Sequence, residues 1–129
     1  LQEDYQDFKD LFQKKKTDCY ILNTGDFKGR KVTPEETLGS IEKIIDGSAE
    51  FKPFGPLNGI SYLPVKKHEP DFNSHHYLIH LMTRLETRLA FVQSRKTYQG
   101  GYDRLPNEAE QLLLYLLDQL HNYKETITV

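Results

Sequence analysis

Three histidines stand close together in this sequence, His75, His76 and His80, and the last two are one helical turn apart. Imidazoles at that spacing share a helix face, which is how a helix offers two ligands to zinc. A zinc site needs at least a third ligand, and neither Asp71 nor Glu86 stands in a zincin-like pattern. The cluster therefore reads as surface histidines at a helix start. The single cysteine, Cys19, lies in the apolar run Cys19-Tyr20-Ile21-Leu22 and reads as an inert core thiol. Arg84, Arg88, Arg95 and Lys96, interleaved with Glu86, read as a solvated face of alternating charge. No Ser/His/Asp or Cys/His arrangement has supporting context, and Glu35 and Glu36 are placed to serve a helix N-terminus.

One segment is built for contact with a ligand. Asn23-Thr24-Gly25-Asp26-Phe27-Lys28-Gly29-Arg30-Lys31 is a polar loop in which Gly25 and Gly29 allow close backbone approach. Arg30 and Lys31 add charge or a stacking surface. It is not a Walker A loop, since no G-x-x-x-x-G-K-[ST] occurs anywhere, and nothing is arranged for terminal phosphates. An ordinary solvated connection is the alternative reading of the same residues.

The elements that would position this loop follow from periodicity. Tyr5, Phe8, Leu11 and Phe12 predict a first helix ending near Lys16, with Lys14 to Lys16 at its negative pole. Cys19 to Leu22 predicts a short buried strand leading into the loop. Thr33-Pro34-Glu35-Glu36 predicts a helix start: Thr33 as cap, Pro34 in the first turn, Glu36 closing a capping box. Leu38, Ile41, Ile44 and Ile45 form its stripe, and Asp46-Gly47 ends it. Strand, glycine loop and helix N-terminus in that order are a usual ligand place in α/β proteins.

From Phe51 to Phe72 four prolines (Pro53, Pro56, Pro64, Pro70) predict an extended, irregular crossing, with Ile60 to Val65 its strand. Its aromatic residues Phe51, Phe54, Tyr62 and Phe72 predict packing onto a body. Asn73 or Ser74 then caps a long helix with the stripe Tyr77, Leu78, Leu81, Leu85, Leu89 and Val92, stopping by Gly100-Gly101. Leu105-Pro106-Asn107-Glu108 opens a final helix carrying Leu112, Leu113, Leu116, Leu117 and Leu120. The tail from Thr126 to Val129 is β-prone.

Composition removes several classes. A chain of 129 residues predicts one domain, burying roughly two-thirds of its unfolded surface. Seventeen Lys+Arg against nineteen Asp+Glu give a net charge of −2, so no basic excess favours nucleic acid. The longest apolar run, Leu112 to Leu117, is far short of the ~20 residues of a membrane span, and no secretion signal opens the chain. One cysteine fits an intracellular, cytoplasmic home. The first residue, Leu1, followed at once by an amphipathic segment, suggests a piece of a longer chain.

Tyr20-Ile21-Leu22-Asn23-Thr24-Gly25, Gly29-Arg30-Lys31-Val32, Thr37 and Ile44-Ile45-Asp46-Gly47-Ser48 together resemble the C-terminal part of ATP-dependent phosphoenolpyruvate carboxykinase. That family has a strand ending in Asn-Thr-Gly, a glycine-rich stretch ending Gly-Lys-Arg-Ile, a later Thr, and a helix ending near Asp-Gly-Ser. Pro53-Phe54-Gly55-Pro56-Leu57, through Pro64 to Pro70, is similar to its Pro-x-Phe-Gly-Leu-x-Val-Pro segment. The likeness runs over residues 17–70. Beyond Asp71 a long helix fits, while Ser94-Arg95-Lys96 to Gly101-Tyr102-Asp103 and the Leu-rich final helix do not, as in a divergent, uncharacterised branch.

The resemblance implies that this segment forms the adenine and ribose end of an ATP site. Lys31 stands where an Arg contacts the base, Val32 where an Ile packs on it, and Thr37 where a Thr hydrogen-bonds it. The loop is shorter than the family's, with Asp26-Phe27 in place of a Trp-led glycine run. The order Arg30-Lys31 is reversed, which offers Arg30 as the stacking group, and Arg and Lys are not equivalent there. The intact enzyme interconverts oxaloacetate and phosphoenolpyruvate plus carbon dioxide with ATP and Mg or Mn. Its phosphate loop, metal ligands and oxaloacetate-binding arginines lie upstream, so the implied partners are a nucleotide and the upstream part of the same chain. Phosphoryl transfer needs those clamps, and residues 1–129 alone are expected to be inactive.

The expected fold is α+β and mainly helical, with a short buried strand or small sheet, one capped middle helix and two long C-terminal helices. Residues 1–129 read as a single domain or fragment, the C-terminal part of a longer carboxykinase-like chain. A competing reading is a non-catalytic helical interaction domain. Leu112-Leu113-Leu114-Tyr115-Leu116-Leu117 is apolar around more than one helix face, and the domain, upstream residues or a second copy must cover it.

Overall fold

The computed structural model describes residues 2–97 and 105–127. Among them lie four α-helices, a 3-10 turn and two antiparallel ribbons of two strands each, an α+β fold that is mainly helical. The chain divides into two compact units. Tyr20–Phe72 forms a central unit, and the segments Leu1–Cys19 and Asn73–Val129 form a helical unit.

In the helical unit, α1 spans Gln2–Lys15 with Glu3 and Asp4 at its positive pole and Lys14 and Lys15 at its negative one. Lys16 takes a left-handed φ of 48° and donates its N–H to the Phe12 carbonyl at 3.0 Å, which ends the helix where the lysines predict. Helix α3, His75–Ser94, starts at Ser74, whose hydroxyl accepts the Tyr77 N–H at 3.3 Å. A 3-10 turn, Arg95–Thr97, follows it. Helix α4, Asn107–Ile127, packs along α3 and runs back: Gln93 at the end of α3 donates to Glu110 near the start of α4 at 3.1 Å. The Lys96 ammonium pairs with the same carboxylate.

Leu78 of α3 and Leu120 of α4 are fully buried, with Met82, Val92, Leu116 and Leu117 around them. All but Met82 belong to the two stripes whose spacing predicts helices; Met82 is a core residue that the expected stripe leaves out. The expected stop at Gly100-Gly101 lies outside the described residues, as do Thr128 and Val129 of the β-prone tail. Thr126 and Ile127 continue α4 instead of forming a strand.

In the central unit β1, Asp26–Phe27, and β2, Arg30–Lys31, pair antiparallel with Asp26 opposite Lys31 and Phe27 opposite Arg30. Lys28 and Gly29 between them both have left-handed φ, 53° and 74°, as in a tight I′ hairpin turn. Helix α2, Pro34–Asp46, carries the full capping box predicted by Thr33-Pro34-Glu35-Glu36, and Gly47 ends it with φ 78°. A second ribbon joins β3, Lys52–Pro53, to β4, Ser61–Tyr62, so the strand expected over Ile60 to Val65 shrinks to two residues.

Phe54 meets Tyr62 and Phe72 edge-to-face, with centroids 5.8 and 5.0 Å apart. Leu57 is buried beside this cluster in sequence, and Phe54, Tyr62 and Phe72 pack on one another while Phe51 stays 40% exposed. Gly55 is required here: at φ 57° a Cβ would sit 2.5 Å from the Phe72 ring.

The buried strand at Cys19 to Leu22 is not formed. Ile21 is 97% exposed and Cys19 is exposed, so the thiol is a surface group and not a core one. The physical reason is the hairpin. Two residues from each strand close on a tight turn as a pair, and the preceding run pairs with neither of them. Tyr20 is held differently, stacked on Phe51 at 5.6 Å.

Candidate functional site

The loop predicted to touch a ligand is closed by its own polar groups. Asn23 Oδ1 accepts the Gly25 N–H at 3.0 Å and Asn23 Nδ2 donates to the Asp26 carbonyl at 3.4 Å. The Val32 N–H then donates to the Gly25 carbonyl at 2.8 Å, so the chain leaves the hairpin beside the point where it entered. Two residues later α2 begins.

Arg30 and Lys31 are both exposed on β2, but a strand sends successive side chains to opposite faces. Arg30 shares a face with Phe27, and Lys31 shares the other with Asp26. Val32 and Thr37 are half-buried. The Thr37 hydroxyl donates to the Thr33 carbonyl at 3.3 Å, so its proton is committed and its lone pairs accept. Of the four residues singled out by sequence, Arg30 lies on the Phe27 face of the hairpin and Lys31 on the other, while Val32 and Thr37 are half-buried at the hairpin exit and near the start of α2.

A polar centre lies on the Phe27 side of the hairpin. Thr33 Oγ1 accepts the Glu36 N–H at 3.2 Å, and Glu36 Oε2 accepts the Thr33 N–H at 2.9 Å. The same Oε2 lies 2.8 Å from Nε2 of His68, which arrives from the proline-rich crossing. An ionised carboxylate only accepts, so Nε2 carries the hydrogen. The His68 side chain is 5% exposed, and Phe27 meets its ring edge-to-face at 6.3 Å. Its other nitrogen, Nδ1, is buried with no hydrogen-bond partner. The Thr33 amide above all, against the opposing pull of desolvation, and then His68 and the Arg30 charge hold the Glu36 carboxyl below its ordinary range.

Sequence reasoning assigns Glu36 to the helix cap and passes over His68 entirely. The two are 32 residues apart, and no periodicity or local motif connects them. The hairpin is also missed, because Lys28-Gly29 is a weaker turn signal than Asn-Gly.

The histidines of α3 stand as the surface reading has them. His75, His76 and His80 are exposed, and His80 Nε2 accepts from Arg84 Nε at 3.1 Å. Among the described residues no three His, Cys, Asp or Glu side chains gather to hold a metal ion. The basic run is partly structural, since the Arg95 guanidinium lies 4.9 Å from the Phe91 ring centre and Lys96 holds Glu110.

No family model matches the chain, and no curated protein or solved structure is significantly similar to it. Among the described residues no helix is long and apolar enough to cross a membrane.

Proposed function

We propose that the central unit is the base-and-ribose end of a nucleotide site in a phosphoenolpyruvate carboxykinase-like protein. The observation that carries this reading is the hairpin that runs through Val32 straight into a fully capped helix start. Along it lie a cation, Arg30, a half-buried apolar side chain, Val32, and the hydroxyl of Thr37. Arg30 supplies a flat cation for the base face, Val32 an apolar contact and Thr37 an acceptor for an exocyclic amino group. Lys31, on the opposite face, is assigned to ribose or phosphate oxygens and not to the base. The residues present suit ATP at this end.

Mg or Mn belongs to the upstream residues of such a protein. The intact enzyme would carry out ATP-dependent conversion of oxaloacetate to phosphoenolpyruvate and carbon dioxide, and this chain alone would grip adenine and ribose without bond-making. An amide NMR titration of the 129-residue chain with Mg-ATP, then Mg-GTP, then Mg-ATP on Thr37→Val, tests it. Shifts confined to Asn23–Thr37, larger for ATP and lost in the variant, support the reading. Absence of shifts at millimolar nucleotide removes it as a site of this chain.

A specific observation favours a second reading, a non-catalytic helical interaction domain. Leu112, Leu114 and Tyr115 on α4 are exposed alongside the buried Leu116, Leu117 and Leu120. If that face meets a second copy, Leu114→Ser with Tyr115→Ser turns an oligomer into a folded monomer in light scattering. A wild-type chain that is already monomeric at high micromolar concentration removes the self-association.

A further inference from the structure

The central unit contains one buried polar side chain that its helix cap does not need. Thr33 and Glu36 complete the capping box between themselves. His68 adds a further donor to Glu36 Oε2 and keeps Nδ1 buried and unpartnered in doing so. An apolar ring of similar size would fill the same space without an orphaned nitrogen. What the histidine adds is a bond to the start of α2 on one side and an aromatic contact to β1, through Phe27, on the other. Phe27 stands directly opposite Arg30 in the hairpin, and Arg30 places its charge near the same Glu36.

We infer that His68 is a positioning residue, clamping the Asp26–Lys31 hairpin against the first turn of α2 and so setting Arg30 relative to Val32 and Thr37. The consequence for nucleotide affinity rests on the nucleotide reading above; the clamp itself does not. Its mechanics are those of a two-sided grip. The Nε2–H bond to a carboxylate is charge-assisted and directional, which fixes the ring's tilt. The edge contact then fixes where Phe27, and with it the hairpin, lies over that ring. Without the bond the ring is free to turn in its pocket, and the hairpin loses its reference to the helix.

The test uses the 129-residue chain in three forms: wild type, His68→Phe and His68→Gln. Phe keeps the ring and loses the donor; Gln keeps a donor for Glu36. In His68→Phe amide exchange should quicken at Val32 and Thr33 while Ser40–Ile45 of α2 stays protected, and His68→Gln should restore the wild-type rates. If wild type binds Mg-ATP, His68→Phe should weaken it about tenfold, the size of one hydrogen bond to a charged group, and His68→Gln by less. If wild type binds no nucleotide, the nucleotide reading fails and the exchange pattern still decides the clamp.

Equal rates at Val32 and Thr33 in wild type and His68→Phe overturn the clamp. Should His68→Phe not fold, the imidazole nitrogen–proton correlation spectrum of wild type decides alone. A hydrogen on Nε2 is required, and the Nδ1–H tautomer overturns the proposal.

Discussion

At Glu36 one carboxylate oxygen, Oε2, receives both the Thr33 amide at 2.9 Å and the His68 imidazole at 2.8 Å. A short acid in the first turn of a helix thereby joins three segments: the hairpin exit, α2 and the proline-rich crossing. Gly55 is a second position where a single atom matters. At φ 57° and with Phe72 against it, Gly55→Ala forces either the backbone or the ring to move. The expected loss is on the order of 1–3 kcal/mol in urea unfolding, and a loss below a few tenths would show that Phe72 yields freely. Cys19 is a third, because it is exposed where the apolar run predicts burial. It should react fully with a thiol reagent in the native chain, at the rate of the urea-unfolded one within about tenfold; protection in the native state would restore the core reading.

Among the elements, α2 and α3 show how far local capping carries. Ser74 and Thr33 sit at the helix starts that their types predict, and Gly47 at the end that a left-handed φ requires. The stripes are less uniform. On α2 the expected apolar line Leu38, Ile41, Ile44 and Ile45 is split, with Leu38 59% and Ile45 80% exposed while Ile41 and Ile44 are half-buried. On α4 Leu120 is fully buried and Leu112 is 55% exposed, one residue type in two environments. Leu120→Ala should therefore cost about 2–5 kcal/mol, and Leu112→Ala within about 0.5 kcal/mol, both read from urea midpoints. Equal costs would mean that α4 buries a different face from the one described.

For the molecule as a whole, charge sets a pH dependence with a definite sign. Glu36, Asp46 and Glu110 all have their carboxyls held below the ordinary range in the folded chain. Amides and hydroxyls dominate at Glu36 and Asp46, from Thr33 and Ser48 respectively, and Lys96 dominates at Glu110. The unfolded chain binds these protons more readily, so the stability they contribute is complete above their ordinary values, 4.5 for Glu and 3.8 for Asp. It is lost as pH falls through the lowered folded values. Urea midpoints should fall on acidification in that window, and Glu36→Gln, which keeps a capping acceptor without the charge, should make the fall shallower. A midpoint that is flat or rises on acidification would contradict the assignment. The three groups lie in both units, Glu36 and Asp46 in the central one and Glu110 in the helical one, so both should lose stability together on this account.

Short-range chemistry was enough to specify the helices, because a cap, a stripe and a left-handed stop each lie within a few residues of one another. The mainly helical α+β class, the Thr33 capping box, the Ser74 cap and the two long C-terminal helices were all legible that way, whereas the packing of α4 along α3 was not. Of the candidate site, Arg30, Lys31, Val32 and Thr37 could be named from the chain, but not which of them share a face. That depended on a two-residue turn whose strands alternate, a matter of register and not of residue type. The fate of Cys19 to Leu22 was equally undecided, since an apolar run becomes a buried strand only when another strand pairs with it and a body covers its face, and neither happens here. His68 is the clearest case. Its partner Glu36 is 32 residues away, and only the folding back of the crossing onto α2 brings a donor and a carboxylate to 2.8 Å with the imidazole buried.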